Sequence, residues 1–242
     1  MQGTPPIHRA ARTLAGRRFG LWLAARFDAH LHGRENVPRE GGALLVGNHT
    51  LFGLDSFPLT ALLATEVGRV PRFLGERNLW RLPLLSLALD VVGAIPGERE
   101  GAVELLRKGE LVCVYPGGVD DSFKTRDHAY ELRWADRAGF ARVAIRAGVP
   151  IVPIAATGID ELFEVRRREH VVGRTLLGSP RYDLPIPRNL APKRARLDYH
   201  ALSRIETRGL SEKDDVERVR RATFDAIEGV LAPYRARLRE AS

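Results

Sequence analysis

Between residues 43 and 155, short apolar runs alternate with stretches of helical periodicity, and this limits the fold more than any other feature. Strand candidates are 43–47, 71–74, 91–95, 111–115 and 151–154, with helix candidates near 56–65, 80–89, 100–108 and 136–147. Strands separated by helices of this length are joined as crossovers between parallel neighbours. The pattern therefore predicts an α/β fold, a largely parallel central sheet flanked by helices. A further strand is expected around Arg196 to Ala201 and a short helix over 158–165. The stretch 166–193 reads as a basic loop, with Arg166-Arg167-Arg168 and Pro180, Pro185, Pro187 and Pro192.

Helices are expected at both ends. Residues 1–27 carry Arg9, Arg12, Arg17, Arg18 and Arg26 and no acidic residue, with Leu14, Phe19, Leu21, Trp22, Leu23 and Phe27 between them. Such an amphipathic helix can lie in the headgroup layer of an anionic membrane, pack its apolar stripe on the domain, or do both. Near the C-terminus Ser211 is a capping residue, and Asp214 and Asp215 suit a first helical turn. Val216, Val219, Thr223, Ile227, Val230 and Leu231 then form one apolar stripe of a long helix. The organisation expected is an N-terminal basic amphipathic helical segment, 1–36, and a single domain over 37–242.

The formal charge of +8 points to an anionic partner. No nucleic-acid-binding motif accompanies it, so an acidic membrane surface or a phosphorylated substrate is preferred to nucleic acid. The one cysteine, Cys113, excludes an internal disulfide and fits a reducing compartment; inside an apolar run it reads as a buried small hydrophobe. The longest apolar stretch, Leu82 to Pro96, is broken by Asp90 and Gly93 and falls short of the roughly 20 residues a spanning helix needs. Arg12, Arg17 and Arg18 interrupt any signal-peptide-like run. The expected location is cytoplasmic, peripherally on the inner face of the membrane. His30 and His32 lack the further ligands a metal site requires, so no metal is expected.

The chemistry is carried by Asn48-His49-Thr50-Leu51-Phe52-Gly53-Leu54-Asp55, directly after the apolar run 43–47. An imidazole held by a carboxylate is a device for taking a proton from a hydroxyl. His49 and Asp55 are six residues apart, about 600° of rotation on a helix, so they meet only if the chain between them turns. Gly53 permits that turn, and Pro58 suits the first turn of a following helix. Two further elements follow. Gly93-Ala94-Ile95-Pro96-Gly97-Glu98-Arg99 sets an arginine after a strand end, suited to phosphate. Tyr115-Pro116-Gly117-Gly118 follows another apolar run, and its backbone N–H groups are candidates for an oxyanion hole.

In order, these elements and Val149-Pro150-Ile151-Val152-Pro153-Ile154 resemble the four blocks of the glycerolipid acyltransferase superfamily over roughly residues 40 to 160. Tyr115 through Ala129-Tyr130-Glu131-Leu132 and Ala138-Gly139-Phe140-Ala141 to Val149-Pro150-Ile151-Val152-Pro153 is most similar to the diacylglycerol acyltransferase-like and phytyl ester synthase branch. Familiar members have four residues between histidine and aspartate where this chain has five, and a glutamate where it has Gly117. Asp120 and Asp121 are the carboxylates available in its place.

The resemblance implies direct acyl transfer without an acyl-enzyme, with His49 as general base and Asp55 fixing its tautomer. It also implies substrate contacts from Arg99, Tyr115, Pro116, Gly117 and Gly118. The donor would be acyl-CoA or acyl carrier protein, and no cofactor is required. The acceptor would be a glycerolipid hydroxyl, on a lysophospholipid such as 1-acylglycerol-3-phosphate or on a mono- or diacylglycerol. Two competing readings use the same residues or charge: a lipid ester or thioester hydrolase, and a non-enzymatic anionic-lipid binder.

Overall fold

The computed structural model describes residues 18–75, 94–169, 184–189 and 191–240. A helix over 18–26 (α1) leads into β1 (His30–His32), β2 (Ala43–Gly47) and α2 (Ser56–Leu62), which ends in a π-helical turn over Leu63–Val67. Then come β3 (Arg72–Gly75), β4 (Ile95–Pro96), α3 (Arg99–Arg107), β5 (Leu111–Val114), α4 (Gly118–Ser122) and α5 (Gly139–Ala147). The last elements are β6 (Ile151–Thr157), β7 (Val165–Glu169), β8 (Leu184–Pro187), β9 (Asp198–Ala201) and α6 (Val216–Glu240). The helix expected over 80–89, residues 91–93 of an expected strand, and Arg9, Arg12 and Arg17 lie outside the described residues.

Seven strands form one sheet in the order β1-β9-β6-β2-β5-β3-β4, and β7 and β8 pair separately as an antiparallel ribbon. The block β6-β2-β5-β3-β4 is parallel throughout. Its centre is apolar on both faces: every residue of β2 and of β6 is buried. That is the composition a parallel sheet requires when helices cover both sides. β9 joins β6 antiparallel and carries β1 parallel to itself, so among the described strands of the sheet the reversal falls between β6 and β9. The sheet thus begins at His30, inside the segment 1–36. Pro153 is tolerated within β6 because its missing N–H points away from β2. The neighbouring donor of the same parity, Ile151 N–H, bonds Ile205, and Leu202 N–H donates to the Pro153 carbonyl.

Right-handed crossovers place α2 on one face and α3 and α5 on the other. Ala102, Val103 and Leu106 of α3 and Phe140, Ala141, Val143, Ala144 and Ile145 of α5 bury against the sheet and each other. α6 covers β6 and α5 with Val216, Val219, Thr223, Ile227 and Leu231, the expected stripe except for Val230, which is only partly buried. Its start differs from expectation. The Asp215 carbonyl accepts the first helical bond, from Val219 N–H, while Ser211 organises a separate turn one step earlier. α1 docks through buried Leu23, with Phe27 buried just beyond it, and leaves Phe19, Leu21 and Trp22 exposed. Residues 158–164 form turns rather than the expected short helix, and β7 begins at Val165. Ile159, Leu162 and Phe163 have helical spacing, but the Asp160 carboxylate is drawn out of it to accept Tyr130 N–H at 2.7 Å.

Candidate active site

β2 ends at Gly47, and α2 begins at Ser56. The connecting loop lies at the carboxyl edge of the parallel strands, where α/β folds gather their ligands. Its first residue, Asn48, is buried and grips the end of β6: Nδ2 donates to Ala156 O and Oδ1 accepts Ala156 N–H, each at 2.8 Å. Thr50 Oγ1 donates to Ile159 O at 2.8 Å. A tight turn over Leu51–Gly53 then reverses the chain, with Gly53 at φ +69°. A Cβ there would lie 3.3 Å from His49 Cε1, so glycine serves both the turn and the imidazole above it.

The turn closes the contact the spacing required. His49 Nδ1 lies 3.0 and 3.1 Å from the two Asp55 carboxylate oxygens. Asp55 also accepts Thr50 N–H at 3.3 Å, and its own carbonyl accepts the Tyr199 hydroxyl at 2.8 Å. The Asp55 side chain is 1% exposed and that of His49 17%. A carboxylate on Nδ1 favours the Nδ1–H tautomer, leaving the Nε2 lone pair available as a base.

Tyr115, just past the end of β5, stacks on the imidazole with centroids 4.0 Å apart and planes at 12°. Its hydroxyl is 3.2 Å from Ser56 Oγ, at the head of α2. Burial, with Cys113 and Asp55 nearby, pushes the phenol pKa well up, so Tyr115 stays neutral. Cys113 is itself buried, and burial raises its thiol far out of the range of a thiolate nucleophile.

The glycine turn is clamped from outside. Arg137 Nη1 donates to the carbonyls of Pro116 and Gly117 at 3.1 and 2.5 Å, and Nη2 pairs with Asp120. Gly118 N–H donates to Tyr115 O at 3.0 Å, so of the two expected oxyanion donors this one is already engaged. A Cβ on Gly117 would lie 2.5 Å from Asp121 Cγ, so the Asp121 side chain fills the space a larger residue 117 would occupy.

Asp121 is fully buried. Its Oδ1 accepts Arg133 N–H at 3.1 Å and lies 3.5 Å from Lys124 Nζ, which is 3.2 Å from Asp160 Oδ2. Burial raises the Asp121 pKa, and Lys124 offsets this only in part. Burial works against the charge on Lys124, but the two carboxylates outweigh it and hold its pKa above the ordinary value.

Arg99 is not brought to the dyad. It opens α3 after β4, exposed, with its guanidinium beside Gly139 at the head of α5. β4 lies three strand spacings from β2, or about 14 Å. Beyond the dyad loop, a cavity of about 20 Å³ lined by Thr50, Leu51, Lys124 and Phe163 adjoins a groove of about 640 Å³. Tyr130, Phe163, Lys193, Arg194, Arg235 and Arg239 are among the groove's walls. Among the described residues, no three His, Cys, Asp or Glu side chains gather as metal ligands would. His30 and His32 bond separately to Asp28 and Asp198.

A family model described as acyltransferase matches residues 28–157. The chain belongs to the acyltransferase family. The glycerolipid acyltransferase superfamily is therefore the right setting for the His49 loop and the Tyr115 turn. A bovine (Bos taurus) protein, "DGAT1/2-independent enzyme synthesizing storage lipids", is 39% identical over 157 residues, 59% of this chain and 47% of its own length. Phytyl ester synthase 2, chloroplastic, of Arabidopsis thaliana is 32% identical over 138 residues, 54% of this chain and 20% of its own. The chain thus spans less than half the length of these curated relatives. Among solved structures, the 1-acyl-sn-glycerophosphate acyltransferase PlsC from Thermotoga maritima superposes with a TM-score of 0.58. That superposition covers 92% of this chain and 79% of the other at 18% identity, a likeness of fold.

Several residues of this candidate site carried no signal in the sequence. Ser56, Tyr199, Lys124, Asp160 and Arg137 are ordinary polar residues whose partners lie on other elements. Only the expected strand around Arg196 to Ala201 could have directed attention to Tyr199.

Proposed function

We propose that the protein transfers a fatty acyl group from an acyl thioester, acyl-CoA or acyl carrier protein, to a glycerolipid hydroxyl. The observation that carries this reading is His49 Nδ1 seated on the buried Asp55 carboxylate, with the imidazole itself partly open. Nε2 takes the proton of the acceptor hydroxyl as its oxygen bonds to the thioester carbonyl carbon. The carbon–sulfur bond then breaks, and the thiolate leaves with the proton returned from Nε2. General-base assistance of this kind is worth about 10²–10⁴-fold, and Asp55 stabilises the imidazolium formed midway. Charge on the thioester oxygen falls to the Gly117 end of the turn, because Gly118 N–H is engaged. Arg99 is assigned to a phosphate on donor or acceptor, reached across the carboxyl edge.

The bovine relative's description as an enzyme of storage-lipid synthesis favours a mono- or diacylglycerol acceptor. No helix of the described residues is long and apolar enough to cross a membrane. Substrate is instead met at the surface, through Phe19, Leu21 and Trp22 of α1, which are 44%, 40% and 58% exposed. Labelled acyl-CoA, with and without lipid alcohols, tests the chemistry. Ester product that disappears in His49→Ala with the fold intact supports the reading. Free fatty acid alone, whatever the acceptor, favours the hydrolase.

A further inference from the structure

We infer that Tyr115 is a positioning residue for the base: its ring face orients the His49 imidazole and stabilises the imidazolium formed during transfer. This rests on His49 acting as general base, and it replaces the substrate contact first expected of Tyr115. Three contacts fix the imidazole. Asp55 holds Nδ1, Gly53 lies under the Cε1 edge, and the Tyr115 ring covers one face at 4.0 Å and 12°. The ring is held in its turn. Its hydroxyl meets Ser56 Oγ at 3.2 Å, and Phe73 of β3 lies beyond it, centroids 6.1 Å apart and planes at 17°.

Neutral imidazole gains only packing from an aromatic face, whereas imidazolium is also drawn to the ring's negative quadrupole. The attraction is therefore stronger at the moment His49 carries the transferred proton than before it, the condition for raising kcat rather than lowering KM. The ring belongs to β5 and the imidazole to the loop after β2. The parallel pairing of those strands, with Val46 opposite Val114, sets one over the other.

The test compares Tyr115→Phe, which keeps the face and loses the hydroxyl, with Tyr115→Leu, which loses both. Tyr115→Met serves in place of leucine if that variant does not fold. In the aliphatic variant kcat should fall by about twofold to thirtyfold, the range of a cation–π contact, with KM within about twofold. Phenylalanine should recover most of the loss. The His49 ring protons, identified by their absence from the spectrum of His49→Ala, should be shifted upfield by the ring current in wild type and Tyr115→Phe. That shift should vanish in the aliphatic variant.

Wild-type kcat in the aliphatic variant, or a phenylalanine variant no better than it, overturns the inference. So does an unshifted His49 signal in wild type. Turnover by His49→Ala would instead end the general-base reading. An inactive His49→Ala beside a fully active aliphatic variant ends this inference alone.

Discussion

Replacing Asp55 by asparagine is the most informative single perturbation, because one carboxylate serves two donors. His49 Nδ1 lies 3.0 and 3.1 Å from its oxygens, and Thr50 N–H donates to Oδ1 at 3.3 Å. An amide of the same shape has one accepting oxygen. If it faces His49, its NH₂ group confronts Thr50 N–H; if it faces Thr50, the NH₂ group donates to Nδ1. The first arrangement leaves a buried donor unpaired at about 1–3 kcal/mol. The second selects the tautomer whose Nε2 carries the proton, which removes the base. Loss of general-base assistance predicts kcat down about 10²–10⁴-fold, or about 3–5 kcal/mol in the barrier. Steady-state kinetics with acyl-CoA reads the loss of the base, and urea unfolding followed by tryptophan fluorescence, with Trp134 buried, reads the unpaired donor. Asp55→Asn with kcat within about threefold of wild type and an unchanged urea midpoint would refute the division of labour assigned to this pair.

Other expectations follow from the same geometry. Lys124→Met leaves the Asp121 and Asp160 carboxylates buried without their cation and should cost about 3–5 kcal/mol. With a urea slope of about 2–3 kcal/mol/M the midpoint falls by about 1–2.5 M, partly restored by adding Asp121→Asn; an unmoved midpoint contradicts the account. Gly117→Ala puts a Cβ 2.3 Å from that of Asp121 and should destabilise by about 1–3 kcal/mol, read as a lower Tm.

Asp215 is held below its ordinary pKa of 3.8, first by the hydrogen bond from Arg218 and then by Ser211 N–H. A lowered carboxylate pKa stabilises the fold above the unfolded value and loses that effect as pH falls through the folded one. The stability gap between wild type and Asp215→Asn should therefore close below pH 3.8, and a gap unchanged by acid would speak against it. Trp22→Ser removes the most exposed apolar side chain of α1 and should weaken binding to anionic vesicles by about tenfold without lowering Tm. Equal flotation of the two proteins would remove α1 from the membrane contact.

What could be read from the sequence was local or periodic. The dyad fell within one loop, so a glycine and a spacing sufficed to foresee that His49 and Asp55 meet. Runs such as Ala43-Leu44-Leu45-Val46 announced strands because both faces are buried, and the α6 stripe repeated often enough to be unmistakable. The rest depended on register between distant segments. Nothing in Tyr199 says that its hydroxyl will reach Asp55 from a strand running against its neighbour. Nor does the third-block turn reveal that Asp121 folds back over Gly117 while Asp120 faces Arg137. Residues 158–165 misled for a physical reason: Ile159, Leu162 and Phe163 bury as a helix stripe would, on a backbone that is not helical.

Asn48 mimics a strand residue with its side chain, offering Ala156 both a donor and an acceptor where β2 has already ended. The two central strands are thereby stapled one position past their last backbone pairing, immediately beside the histidine. Loops farther out along that edge can change length or composition without loosening this joint. On the proposed reading, selectivity for different alcohols would drift in the periphery, while His49 stays anchored to the buried centre of the sheet.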